Sequence, residues 1–280
     1  LNSNATGAEN TAVGSNALEN NTASQNTAVG HDASQANTTG AHNTAVGAFS
    51  QHVNTTGSHN TSVGKSSLGY NTTGDYNTAL GRNAMNANTT ANYNTAVGYQ
   101  ALYANTTGAQ NTAVGGSALD ANTTASFNTA LGYQTLSTNT TGYDNVAVGN
   151  DALLSNSTGA ENVAVGKQSL DANTTGIKNV AIGKYSLSGN TTGESNTAVG
   201  DQALFTQTGA DHNIAVGRSV LYANTTGTKQ VAIGNYALYD NTTGSQNTAL
   251  GYGTLANNTT ASNNTAIGFE SLTQNTTGTY

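Results

Sequence analysis

The chain has no cysteine, no proline, no tryptophan and a single methionine, Met85. Without cysteine there is no disulfide framework, though this says little about compartment. Charge is also scarce: only 8% of the 280 residues are charged, with a net charge of −7 and seven Lys plus Arg. That lacks the basic footprint of a nucleic-acid binder. No apolar run approaches the ~18 residues of a membrane span. Neither an initiator Met nor a signal peptide is present, so the chain reads as processed or as a window on a longer protein.

What remains is mostly Asn, Thr, Gly and Ala. That composition suits a disordered chain, but disorder does not need a strict period, and this sequence has one. Asn43, Asn60, Asn77, Asn94, Asn111, Asn128, Asn145, Asn162, Asn179, Asn196, Asn213, Asn247 and Asn264 keep a 17-residue register, with Gln230 holding it between Asn213 and Asn247. Asn26 keeps the same spacing, and the step from Asn10 to Asn26 is one residue short. Numbered from this Asn, position 2 is Thr, Val or Ile, position 3 is Ala except at Ser62, and position 4 is Val, Leu or Ile. Position 5 is Gly throughout, and position 9 is Leu except at Ser34, Gln51 and Met85. Positions 12 to 15 read N-T-T-G or close to it.

A unit with two large apolar residues cannot fold alone. Burying one Val and one Leu yields roughly 3–6 kcal/mol, whereas ordering each backbone residue costs roughly 1–2 kcal/mol. Stability must come from stacking, and the Gly, Asn and Thr in every cycle disfavour helices. The expectation is an all-β fold over residues 1–280, a single array forming a parallel β-solenoid (β-roll) with 17 residues per coil, about 16 coils and uncapped ends. At the strand spacing this is a rod on the order of 80 Å long. Positions 2 and 4 share one strand face. Val and Ile at position 2 (Val146, Val163, Val180, Ile214, Val231) suggest that this face is buried with the position-9 leucines, which a second short strand would carry. Position 3 then faces away, either as a corner where only Ala fits or as a surface where another copy packs. The position-1 asparagines predict an internal ladder from coil to coil.

The strands resemble a known family. "NVAIG" (Asn179 to Gly183) followed by Ser186, with "NVAVG" at Asn145 and Asn162 and "NTAVG" elsewhere, is similar to the head repeat of YadA-like trimeric autotransporter adhesins. The resemblance implies a left-handed β-roll, three-chain packing and an adhesive role outside the cell. Two features depart from the family: the repeat is longer, the extra length falling around N-T-T-G, and no heptad stalk or membrane anchor stands within these residues.

Position 12 raises a separate expectation. Asn4, Asn20, Asn37, Asn54, Asn71, Asn88, Asn105, Asn122, Asn139, Asn156, Asn173, Asn190, Asn224, Asn241, Asn258 and Asn275 each precede Thr by two residues, forming N-x-T acceptors for N-glycosylation. The position-1 column has Ala at +2 almost everywhere, and only Asn60 there makes a sequon. At Gln207 the Asn and the +2 Thr disappear together. A turn-only reading explains Asn but not Thr at +2, since Asn156 tolerates Ser157 while keeping Thr158. One glycan per coil would give a continuous sheath, with Tyr99, Tyr133, Tyr252, Tyr103, Tyr222 and Tyr239 as rings for sugar stacking or simply as part-exposed residues.

Other chemistries find little purchase. His42 and His59 share position 17, with His52 nearby, but no carboxylate or cysteine recurs beside them for a metal. No Ser/His/Asp grouping or calcium-binding G-G-x-G-x-D turn occurs, and the expectation is no catalysis and no cofactor. The array begins at position 9 (Leu1) and stops at position 17 (Tyr280) without capping elements, which points to continued coils or end-to-end joining. The functional expectation is an extracellular or cell-surface structural fibre, glycan-coated and self-associating end to end, side by side or as a trimer. Alternatives are an adhesin head or tail-fibre shaft, and an ice-binding solenoid, the last disfavoured while position 2 is taken to face inward.

Overall fold

A computed structural model describes residues 3, 4 and 6–278. The readings made at Leu1 and Tyr280 lie outside the described residues. The chain divides into two units, Leu1–Thr141 and Gly142–Tyr280. Each is a parallel β-solenoid, and no helix occurs among the described residues, so none is long and apolar enough to cross a membrane. Strands β1 (Thr11–Val13) to β8 (Thr129–Leu131) belong to the first unit and β9 (Val146–Val148) to β16 (Thr265–Ile267) to the second. Every strand is three residues long and occupies positions 2 to 4. Neighbours pair in parallel and in strict register, as in Thr95↔Thr112, Ala96↔Ala113 and Val97↔Val114. Each coil therefore adds one strand spacing, about 4.8 Å.

The strand face is the reverse of the one expected. Ala96, Ala113, Ala147 and Ala181 at position 3 are fully buried, while the flanking positions 2 and 4 are half-buried or exposed, Leu131 to 47%. The core of a coil is one Ala at position 3, a small residue at position 8, the Leu at position 9, and the asparagines at positions 1 and 12. Such a coil is thin. It has interior room for one large side chain, and the position-9 leucines from Leu68 to Leu238 take it without exposure. Position 3 is neither an outer corner nor a packing surface; it lies against the leucines.

The second strand expected around position 9 is absent. Positions 6 to 11 form a turn, and Leu102 and Leu119 hold φ of 53° and 55°. Positions 7 and 17 are also left-handed, as at Gln100 (55°) and Gln110 (57°). A non-glycine residue in this region costs about 1–3 kcal/mol, which the burial of a leucine, worth about 1.5–3 kcal/mol, offsets. Glycine is required at position 5, where φ runs from 122° at Gly268 to 142° at Gly132. The glycine of N-T-T-G, by contrast, is not left-handed, and Ala91, Ala125 and Ala261 replace it.

The leucine column is interrupted in the first unit. At position 9, Gln51 is buried with Nε2 donating to Thr44 O and Asn60 O (3.2 and 3.3 Å), while its Oε1 has no partner. Ser50, Ser62 and Ser67 join beside it through their hydroxyls, Ser50 to Ser67 at 3.2 Å.

Candidate functional site

The two asparagine columns run through the interior and converge. Within one coil, Asn43 Nδ2 donates to Gly57 O at 2.8 Å and Asn54 Nδ2 donates to the same oxygen at 2.9 Å. Between coils the columns differ. At position 1 the side-chain oxygen accepts the next backbone N–H, Asn60 N to Asn43 Oδ1 at 3.0 Å. At position 12 amide bonds amide: Asn71 Nδ2 to Asn54 Oδ1 at 2.8 Å, Asn88 to Asn71 at 2.7 Å, Asn122 to Asn105 at 2.9 Å. Each interior Asn of the second column thus uses both amide hydrogens, one along the coil and one along the stack.

This geometry bears directly on the sequons. Thirteen of their asparagines, from Asn37 to Asn258, have at most 1% exposure. An N-linked glycan attaches at Nδ2, and here that atom is enclosed and doubly bonded. The folded coil has no room for the sheath on these thirteen positions. Asn4 and Asn275 are half-buried, and each closes a local turn, donating to Gly7 O and Gly278 O at 3.0 Å.

Asn20 differs for a reason of register. In the short coil it is Asn21, not Asn20, that enters the column: Asn37 Nδ2 donates to Asn21 Oδ1 at 2.7 Å, and Asn10 and Asn21 both donate to Ala23 O at 2.8 Å. The missing residue is therefore position 14, and Asn20 lies exposed at position 11. The same exposure of position 14 describes Thr107 and Thr175, whereas position 13 bonds onward, Thr106 Oγ1 to Thr123 O at 3.0 Å. Ser157 does the same to Thr174 O at 3.0 Å, so a hydroxyl, not threonine as such, is what position 13 needs.

Two glutamines mark where the ladders change partners. Gln207 Nε2 donates to Ala210 O at 2.8 Å and no longer reaches back, leaving buried Asn190 Oδ1 without a partner. Its Oε1 accepts from Asn213 at 2.9 Å, joining the two columns. Gln230 makes the reciprocal link, Nε2 to Asn224 Oδ1 at 3.0 Å. Neither link was visible in the spacing.

The aromatic residues stack by column as well. His42, His59, Tyr76 and Tyr93 at position 17 lie face to face, with centroids 4.7, 4.8 and 5.0 Å apart. His52 is apart from this stack, edge-on to Phe49. Among the described residues no His/Cys/Asp/Glu group is arranged to hold a metal. Tyr222 and Tyr239 at position 10 also stack, at 5.2 Å, so the ring faces they turn to each other are closed to a sugar.

Position 10 carries two carboxylates in similar settings. Burial pushes the Asp171 carboxyl above the usual carboxylate range, opposed by the Ser188 hydroxyl donating to it at 2.6 Å and reinforced by Asp151. Asp120 is raised by burial too, opposed by Ser137. The folded state then holds a proton more tightly than the unfolded one. Between the unfolded value near 3.8 and the raised folded value the native chain binds more protons, so stability falls as pH rises through that window. Asp171→Asn is expected to stabilise the fold at pH 7 by about 1 kcal/mol or less given partial solvation, seen as a raised melting temperature. Melts repeated at about pH 3, below both values, should show the difference vanishing.

The outward strand face is the other columnar feature. Position 2 presents Thr in eight successive strands, Thr11 to Thr129, and mixed Val, Ile and Thr from Val146 to Thr265. Position 4 presents only Val, Leu or Ile, among them Val63 and Ile233, each 38% exposed. No charged residue interrupts either column. Comparison with protein-family models, with curated proteins and with solved structures finds no match.

Proposed function

We propose that the chain is a shaft segment of an extracellular structural fibre, in which the outward strand face packs side by side against the same face of further copies. The observation that carries this is the uncharged Thr/Val-x-Val face. Eight coils stack to about 40 Å, and an apolar strip of that length, a few hundred Å², is the size that marks an interaction site. Its occupant is a second copy because the columns repeat at one strand spacing. Identical faces can then interdigitate along their whole length. The similarity to trimeric adhesin head repeats supports three chains and leaves an adhesin head or tail-fibre shaft as a variant of the same assembly. The glycan coat does not enter this reading.

The same face favours a second reading, ice binding. Position 2 turns outward, so Thr11 to Thr129 form a regular column, half-buried or exposed, beside a valine and leucine column. One experiment separates the two. Sedimentation equilibrium of the chain at micromolar concentration should give an oligomer, and Val97→Lys with Val114→Lys should give monomer, because each lysine would be buried against its own copies. A wild-type chain that stays monomeric defeats the fibre reading. Thermal hysteresis in that monomer would put ice binding in its place.

A further inference from the structure

The solenoid is columnar almost everywhere, but one corner of the first unit is singular. Phe49, Ser66 and Asn83 at position 7, His52, Gly69 and Asn86 at position 10, and Tyr70 at position 11 line a cleft of about 200 Å³. Two departures from the repeat create it. Gly69 is the one glycine at position 10, so a side chain is missing between His52 and Asn86, and a Cβ there would come within 2.7 Å of Asn86 Nδ2. Tyr70 is the one aromatic residue at position 11.

The lining has a consistent chemistry. Tyr70 is 58% exposed and stacks on no other ring among the described residues, so its faces are open, unlike those of the His59–Tyr76–Tyr93 column. Phe49 forms the second apolar wall, held edge-on by His52 with centroids 5.6 Å apart. Asn86 is fixed by Nδ2 donating to Ser66 O at 2.8 Å, which leaves its Oδ1 to accept. The Asn83 amide and the Ser66 hydroxyl supply further donors and acceptors, and none of the seven residues is Asp, Glu, Lys or Arg. Aromatic faces beside uncharged amides and hydroxyls match a ring that is apolar on its faces and hydroxylated at its rim. The volume lies below that of pockets for drug-sized ligands, roughly 300–1,000 Å³, and suits one such ring.

We propose that this cleft binds a single neutral pyranose, its face on Tyr70 and its hydroxyls on Asn83, Asn86 and His52. The site lies at positions 7, 10 and 11, away from the strand face at positions 2 and 4, and so stands whether or not the copies associate. The test is saturation-transfer NMR on the full chain with three probes, methyl β-D-glucopyranoside, methyl β-D-galactopyranoside and methyl N-acetyl-β-D-glucosaminide. Transfer to the ring protons of at least one, with a Kd on the order of millimolar, is the expected result. Gly69→Asn refills the column with the residue found one coil on and should abolish transfer. Tyr70→Ala, the residue most often at that position, should weaken binding roughly threefold to tenfold. Tyr143→Ala, at another exposed ring (49%) in the second unit, should leave it unchanged. No transfer from any probe, or transfer that survives Gly69→Asn, overturns the proposal. Should Gly69→Asn lower the melting temperature, the exposed Tyr70 variant decides: undiminished binding there overturns it equally.

Discussion

Asn105→Asp is expected to destabilise the first unit by roughly 3–5 kcal/mol at pH 7, the cost of an uncompensated buried charge. The substitution is isosteric, so packing hardly changes; what changes is the sign of one atom. Asn105 Nδ2 donates to Asn88 Oδ1 at 3.1 Å and to Gly108 O at 2.9 Å, with Oδ1 accepting from Asn122. A carboxylate would set an anionic oxygen against two acceptors inside a column that holds no cation. Protonation relieves only part of this, since a single O–H can serve one of the two acceptors. The folded pKa is thereby raised above the unfolded one, so the penalty should shrink as pH falls toward 4 and grow as it rises. Asn20→Asp is the matched control. Its side chain is exposed, and the change should stay within about 0.5 kcal/mol. Urea melts of both variants separate the possibilities. An Asn105→Asp as mild as Asn20→Asp would mean that the second column is a surface turn, open to modification.

Gly98→Ala should cost about 3 kcal/mol or more, adding a conformational penalty of about 1–3 kcal/mol to a steric one. At φ of 138° the position is held where side chains are rarely found, and a Cβ would lie 2.4 Å from Gly115 O and 2.7 Å from Gly115 C. Both atoms are backbone of the next coil, directly after a strand held by in-register pairing, so relief requires spreading the stack. Gly116→Ala tests the attribution. It has no positive φ, and its Cβ would meet Tyr133 Cδ2 at an ordinary 3.4 Å, so its effect should stay near zero. Because coils are stabilised chiefly by their neighbours, the Gly98 lesion should appear as a local loss of amide-exchange protection spreading from that coil, with distant coils less affected. Equal effects at the two glycines would rule out the left-handed geometry as the cause.

Much of this architecture is legible in the residues themselves. The 17-residue period, the invariant glycine at position 5 and the leucine at position 9 specify a stacked coil with a sharp bend and one apolar column, and the structure has all three. The period also says which residues share columns, and so which can form ladders. It does not say which atoms meet. An asparagine in register with its copies is equally consistent with an inward amide ladder and an outward glycan acceptor, because N-x-T and a stacked Asn-Thr turn are the same letters. The short coil from Asn10 sharpens the point: the residue lost was Thr at position 14, so the column passed to Asn21 while the sequon stayed at Asn20.

The strand face shows where sequence reasoning stops. Alternation along Thr-Ala-Val determines that positions 2 and 4 share one side and position 3 the other, and hydrophobicity then favours burying the valines. The structure buries the alanines instead, because the left-handed turn at positions 7 and 9 turns the leucine in toward the strand and leaves room there only for a small side chain, Ala or, once, Ser62. That turn is illegible in the letters: nothing in Gln100 or Leu102 favours a positive φ, and only the closure of the whole coil enforces it. The sequence by itself therefore determined the repeat, its columns and its parallel stacking. The tertiary structure alone decided which side of each column is in, and with it that the asparagines bond within while the threonines and valines of the strands face outward.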